Sequence, residues 1–165
     1  MAANPKKQLA LDTNVLLELA DSGEVATDFR ETFQAKGYTL LIPSRVVTEL
    51  HLIEADAERE DARFATITLE KLRAWEIKAL DLPEVSQAIA RRFAEALIRK
   101  RLLPPEEISD GRILGETAVA GIPGLVTFDK HLLDIDEDQL RLALDEADLP
   151  SAAIVHPRRL LRALR

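Results

Sequence analysis

The sequence predicts an α/β domain in which acids stand at the ends of buried strands. Three observations carry this. The apolar run Leu9-Ala10-Leu11 stops at Asp12, and Val15-Leu16-Leu17 resumes the apolar pattern at helical spacing. Leu125-Val126-Thr127-Phe128 repeats that design and ends in Asp129. Between the two, apolar residues recur every three to four positions, the signature of amphipathic helices. In an open α/β sheet the carboxyl ends of the strands open into the ligand crevice. Asp12 is thus expected at the mouth of a site, and Asp129 at the same edge if the sheet is parallel. For either acid alone, capping of the following helix is the common alternative.

The remaining elements follow in order. Asp21-Ser22-Gly23 is a turn cluster, and Val25, Phe29 and Phe33 mark a helix from Glu24 to Lys36 that Gly37 stops. Tyr38 to Ile42 is a short strand broken by Pro43, and Ser44 is placed to cap the next helix, with Val46, Leu50, Ile53 and Ala57 as its core face. Glu49 lies about 60° from the centre of that stripe, where a glutamate is costly unless it is paired, binds a cation or bends outward at the rim. The charge-rich stretch from Glu54 to Asp81 reads as mainly helical, with Phe64, Ile67, Leu72 and Trp75 for packing, and Trp75 reads as a packing residue rather than a base-stacking platform. Ile77 to Leu82 fits a strand or a helix end. Pro83 opens a helix with Val85, Ile89, Phe93 and Leu97 on one face, ending before Pro104-Pro105.

Ser109 is placed as a cap with Asp110 in the first turn of its helix. Ile113, Leu114, Thr117 and Ala118 lie three, four, seven and eight residues on, so Asp110 shares their inward face. A favourable charge at a helix N-terminus is the competing reading of Asp110. Glu116 lies about 240° around from Asp110 and reads as a bystander. Asp134 to Leu149 is acidic with a helical tendency, Ala152 to Val155 a final strand, and Pro157 the start of a terminal helix with Arg158, Arg159, Arg162 and Arg165.

Length and composition bound the function. At 165 residues the chain is expected to be one domain, 1–165, burying about 68–70% of its unfolded surface. Without cysteine there is neither a disulfide nor thiolate-bound zinc, and His51, His131 and His156 make no ligand pair at metal spacing. Residues Met1 to Gln8 lack a signal-peptide core, and no apolar run approaches the ~18 residues of a membrane span, so a cytoplasmic protein without membrane association is expected. The net charge of −7 speaks against a general nucleic-acid binder. It leaves open an enzyme whose acids are neutralised by a divalent ion.

Four carboxylates gathered at one edge would repel one another and raise each other's pKa unless a cation intervened. All-oxygen donor sets suit Mg²⁺ or Mn²⁺, which near a phosphate can lower the pKa of a bound water and neutralise charge. In this order and context, Asp12-Thr13-Asn14 after the first strand, Glu49 in Val-Val-Thr-Glu-Leu, Asp110 in Ile-Ser-Asp-Gly-Arg-Ile-Leu and Asp129 in Leu-Val-Thr-Phe-Asp-Lys-His-Leu-Leu resemble the PIN-domain ribonucleases. The tail Ile-Val-His-Pro-Arg-Arg-Leu-Leu resembles the family's last strand and helix, so the match spans nearly the whole chain. The chain exceeds the compact toxins of the family in length, mostly between Glu54 and Asp81.

The resemblance implies a PIN-like α/β/α sandwich with a central, mainly parallel sheet. It implies a Mg²⁺- or Mn²⁺-dependent endoribonuclease leaving 5′-phosphate and 3′-hydroxyl ends, of the VapC-like toxin class or a related RNA-processing role. Asp12, Glu49, Asp110 and Asp129 would hold metal, Asn14 and Thr127 would orient them by hydrogen bonds, and Thr13 would support the turn. Arg45, Arg112, Lys130 and His131 lie beside these motifs and could meet RNA phosphates. A cognate antitoxin and a homodimer are the implied protein partners. Two other readings compete. One is a catalytically silent PIN-like domain that binds RNA or protein. The other is a phosphatase with Asp12 as nucleophile, whose haloacid-dehalogenase-like pattern wants a second Asp where this chain has Asn14.

Overall fold

The computed structural model describes residues 5–164. Its centre is a five-stranded, all-parallel sheet in the order β3-β2-β1-β4-β5, formed by β1 (Gln8–Leu11), β2 (Thr39–Ile42), β3 (Ile77–Ala79), β4 (Gly124–Val126) and β5 (Ala153–Val155). Strand β1 is central because Leu9, Ala10 and Leu11 are all apolar and buried, as a strand covered on both faces requires. Its register sets Ala10 beside Leu41 on one side and Leu125 on the other. The edge strands are less buried: in β3 only Ile77 is buried, and in β5 no residue is.

Helices cover both faces: α1 (Thr13–Ala20), α2 (Glu24–Ala35), α3 (Ser44–Ala55), α4 (Ala62–Lys71), α5 (Glu84–Arg99), α6 (Ile108–Val119), α7 (Lys130–Leu133), α8 (Glu137–Glu146) and α9 (Pro157–Ala163). The expected α/β/α sandwich is thus observed, with a sheet wholly parallel. Phe29 and Phe33 are buried and in ring contact at 4.9 Å, as the four-residue spacing on α2 implies. Gly37 ends that segment at φ +88°, a left-handed conformation that glycine adopts without strain. Among the described residues no helix is long and apolar enough to cross a membrane. Residues 1–4 of the leader stretch and Arg165 lie outside the described residues.

Several local expectations are corrected. Ser44 is the first residue of α3 rather than its cap; Pro43 holds the cap position, and the Ser44 hydroxyl reaches the Leu80 carbonyl instead. Ala57 falls beyond the end of α3 and is exposed. The Glu54–Asp81 stretch holds the end of α3, one ten-residue helix between loops, and β3, which makes the first half of Ile77–Leu82, Ile77–Ala79, strand. On α5 the expected stripe fails at its start: Val85 and Ile89 are exposed, and the buried face is Ala90, Phe93, Ala94 and Leu97. The stripe turns because α5 meets α6 through small residues. A Cβ on Gly115 would stand 2.8 Å from the Ala90 carbonyl oxygen, and one on Gly111 2.9 Å from the Ala94 Cβ. The two backbones approach as closely as two glycines and two alanines allow.

That seam sets the height and rotation of α6. Gly115→Ala forces it open against backbone, not against a flexible side chain, and is expected to destabilise the protein by about 1–3 kcal/mol, read by urea denaturation.

Candidate functional site

The carboxyl ends of β1 and β4 deliver Asp12 and Asp129 to one edge of the sheet. The Asp12 N–H donates to the Val126 carbonyl (3.0 Å), and the Thr127 N–H donates to that of Val155, so the ladder carries on one step past each strand. Asp12 then caps α1, its Oδ1 accepting from the Thr13 N–H at 2.8 Å. Asp129 caps α7 in the same way, its Oδ1 accepting from the His131 N–H at 3.1 Å. The capping alternative is therefore correct for both, and it leaves one oxygen of each for other work. For Asp12 that is Oδ2, which accepts from Thr127 at 2.6 Å and from Asn14 at 3.2 Å.

Thr127 is the hub of this arrangement. Its hydroxyl donates to Asp12 Oδ2 and accepts from the Asp129 N–H at 2.9 Å and from Asn14 Nδ2 at 3.2 Å. That is one donor and two lone pairs, the full capacity of a hydroxyl. Asn14 closes the loop by accepting the Phe128 N–H at 3.0 Å.

Glu49 and Asp110 arrive from α3 and α6. Glu49 is half-buried and holds two hydroxyls, accepting from Thr13 on one oxygen and from Ser109 on the other. Ser109 in turn accepts from Arg45 Nε at 2.8 Å. Ser109 was expected as a helix cap; it lies inside α6, and its hydroxyl ties α6 to α3. Carboxylate oxygens of Asp12, Glu49 and Asp110 lie within 4.8 Å of one another. Glu107, Asp129 and His131 form a second such group, with Glu107 Oε1 at 2.9 Å from His131 Nδ1.

Sequence reasoning misses Glu107 altogether and misses the link from Ser109 to Glu49. Glu107 stands three residues before Asp110, one helical turn, which is the only local signal for it. Of the anticipated basic residues, Arg45 lines the cleft, an open space of about 650 Å³, together with Asp12, Asn14, Glu49 and Asp110. His131 is held by Glu107, and Lys130 is exposed. Arg112 is half-buried on α6 outside that cleft. Arg59, also not anticipated, lines the cleft from the loop before α4 and is paired with Asp61 at 2.8 Å. Glu116 is buried and accepts the Arg45 N–H with both oxygens, at 3.3 and 3.2 Å; its function is to cap the start of α3.

The electrostatics match the crowding. Burial pushes Asp12 up to about 6 against the hydrogen bonds from Thr127 and Thr13, with Glu49 and Asp129 adding repulsion. Asp110 is pushed up to about 10 by burial, by hydrogen bonding toward Glu107 and Asp129, and by the charges of Asp12 and Asp129. Glu107 moves down, as the partner that keeps its charge beside the protonated Asp110 and near His131. Asp129 Oδ2 is buried and has no hydrogen-bond partner. A cluster of oxygens that holds a proton, with one buried oxygen unpartnered, fits a hard divalent cation.

Three solved structures share the architecture. VapBC2 from Rickettsia felis, bound to a DNA fragment from its promoter, matches at 15% identity with a TM-score of 0.61, covering 90% of this chain and 98% of that one. The fold is that of a VapC-like PIN domain. FitAcB from Neisseria gonorrhoeae matches this PIN fold at 17% identity and TM-score 0.55 (90% and 97% covered), and DNA-bound VapBC from Salmonella typhimurium at 18% and 0.56 (91% and 98%). No protein-family model matches the sequence, and no curated protein does.

The raised carboxyls make the metal-free protein sensitive to pH. A folded-state pKa above the unfolded value of 3.8 means that the fold holds a proton the unfolded chain releases. The associated stability is present in full at acid pH. It is lost as pH rises from about 3.8 through about 6 for Asp12 and on toward about 10 for Asp110. In EDTA the melting temperature is expected to fall steadily between about pH 5 and about pH 9. Asp110→Asn should flatten that slope and melt above the wild type at the upper end; an unchanged slope in thermal scans would contradict the assignment.

Proposed function

We propose that residues 1–165 form a single metal-dependent nuclease domain that hydrolyses RNA phosphodiester bonds, with Asp12, Glu49, Asp110 and Asp129 as its metal-holding acids. The observation that carries the reading is the convergence of Asp12, Glu49 and Asp110 from three separate elements onto one cleft, with Asp129 at the neighbouring strand end, its Oδ2 buried and unpartnered. Isolated surface acids have no reason to be gathered and desolvated in this way. The VapC-like fold supports the reading, and with it the role of a toxin acting beside a cognate antitoxin, since two of the structural neighbours are VapBC complexes. A homodimer and a cytoplasmic site of action belong to the same reading.

Each residue has a part. Asp12 and Asp129 present oxygens from rigid strand ends, while Thr127 and Asn14 hold both in fixed rotamers. Glu49 is aimed by Thr13 and Ser109, so Thr13 contributes more than turn support. Burial and hydrogen bonding favour the protonated form of Asp110, so a cation there would compete with a proton and its affinity should weaken as pH falls. Mg²⁺ or Mn²⁺, when bound, would supply charge neutralisation at the phosphate and a more acidic water. The carboxylates and Arg45 shape the cleft that receives the strand, and Lys130 and His131 stand beside Asp129 to meet its phosphates.

The test is cleavage of a mixed set of single-stranded and structured RNAs by purified protein with Mg²⁺, Mn²⁺ or EDTA. Asp12→Asn and Asp129→Asn preserve helix capping, because asparagine caps as aspartate does, so both proteins should remain folded. Both are expected to lose cleavage, as is wild type in EDTA. Thr127→Val, which keeps the shape and removes the hub hydroxyl, should cost about 10- to 100-fold in activity. Cleavage surviving in Asp12→Asn, or absence of cleavage by folded wild-type protein with metal, would refute the proposal. RNA bound but never cut would favour the silent binding module.

A further inference from the structure

We propose that Arg45, Arg91 and Arg112 form a subsite for a backbone phosphate of the bound nucleic-acid strand, set beside the carboxylates along α6. The inference rests on the nuclease reading and adds to it the place where the strand is gripped away from the cut. Ser109, Arg112 and Glu116 follow one another at three and four residues, so they share one face of α6. Two of them hold Arg45: Ser109 accepts its Nε at 2.8 Å, and Glu116 accepts its backbone N–H. Arg45 is thereby fixed over the face that carries Arg112.

Arg91 comes from α5. The close approaches of Gly115 to Ala90 and of Gly111 to Ala94 show that α5 and α6 run antiparallel across their seam. Arg91, exposed and next to Ala90, is therefore level with the turn of α6 that carries Arg112. Arg112 lies on α6 between Ser109 and Glu116, the two residues that hold Arg45, so all three arginines border one stretch of that helix.

These three charges are only partly offset in the free protein, by the Glu116 carboxylate. No ion pair among the described residues involves Arg45, Arg91 or Arg112. Glu116, one turn along the same face of α6, has both oxygens turned to the Arg45 backbone N–H. Arg112 Nε is buried with no acceptor. A donor left unmet inside a group of like charges is a cost to the fold, and a phosphate relieves both faults at once. Guanidinium forks match phosphate oxygens geometrically, and the link from Arg45 through Ser109 to Glu49 ties the phosphate subsite to the acid cluster.

The test measures binding by fluorescence anisotropy of a labelled single-stranded RNA, and of DNA of the same sequence, in an Asp12→Asn background that spares the probe. Arg91→Gln and Arg112→Gln are each expected to weaken binding about tenfold. Each should also lower the slope of log K against log salt by about 0.7. The loss should be alike for RNA and DNA, since a phosphate is read and not a sugar. Arg112→Lys should recover part of the affinity. Thermal midpoints should stay at the background value, because Arg91 is exposed and Arg112 loses no hydrogen bond through Nε. Unchanged affinity and salt slope in both folded glutamine variants would overturn the subsite. Metal-dependent cleavage by the unaltered protein is the separate readout for the nuclease reading. Cleavage without arginine-dependent binding sinks the subsite alone, and arginine-dependent binding without cleavage sinks the nuclease alone.

Discussion

The placement of a buried carboxylate at the end of the central strand is the constraint on which the remainder of the structure depends. Asp12 is almost wholly removed from water, and its charge is tolerable only because donors meet both oxygens. The donors come from two places: the first turn of α1, and the segment just past β4. The parallel pairing of β1 with β4 is what sets Thr127 opposite Asp12, so sheet register and site geometry are one fact. A slip of one residue would turn Thr127 away and leave the carboxylate without its strongest donor. The sheet's order then follows from what must be adjacent: β1 and β4 lie side by side although more than a hundred residues separate them.

The second requirement is that acids from α3 and α6 lean over that edge despite repelling it. Neither Glu49 nor Asp110 is drawn there by charge; packing holds them. Val46, Leu50 and Ile53 anchor α3, and the glycine–alanine seam clamps α6 to α5. The core thus supplies the free energy that the carboxylates oppose, and the opposition appears as the proton retained by Asp110. Gathering desolvated acids in this way costs stability, a cost that functional sites commonly carry.

Legibility from sequence divides along the same line. Asp12 and Asp129 could be found because each ends an apolar run and opens a helix, a pattern contained in six residues. Glu49 and Asp110 could be placed on their helices by angle, since helical geometry carries a residue's direction over one or two turns. Glu107, Ser109 and Arg59 could not be placed, because what gives them meaning is the chain segment opposite. Ser109 shows why: serine near a helix start is usually a cap, but here the helix begins one residue earlier and the hydroxyl turns to Glu49. Val85 and Ile89 failed for a related reason. The periodicity of α5 was read correctly, but which arc of it is buried depends on the glycines of a partner helix.

Net charge illustrates the limit of averages. A chain at −7 would seem to repel a polyanion, and the sum is correct for the molecule as a whole. Beyond about 8 Å at physiological salt, however, exposed charges are largely screened, so an approaching strand responds to the local field. On α6 that field changes sign around the helix axis. Asp110 stands with the carboxylates of Asp12 and Glu49, and Arg112, two positions on and so about 200° around, shares the face on which Ser109 and Glu116 hold Arg45. A single helix therefore sets acidic and basic surfaces side by side. On the proposed function, a phosphodiester chain laid across them would be held by one surface and meet the acids of the other. The acids alone would repel it, and the arginines alone would hold it with nothing to attack it.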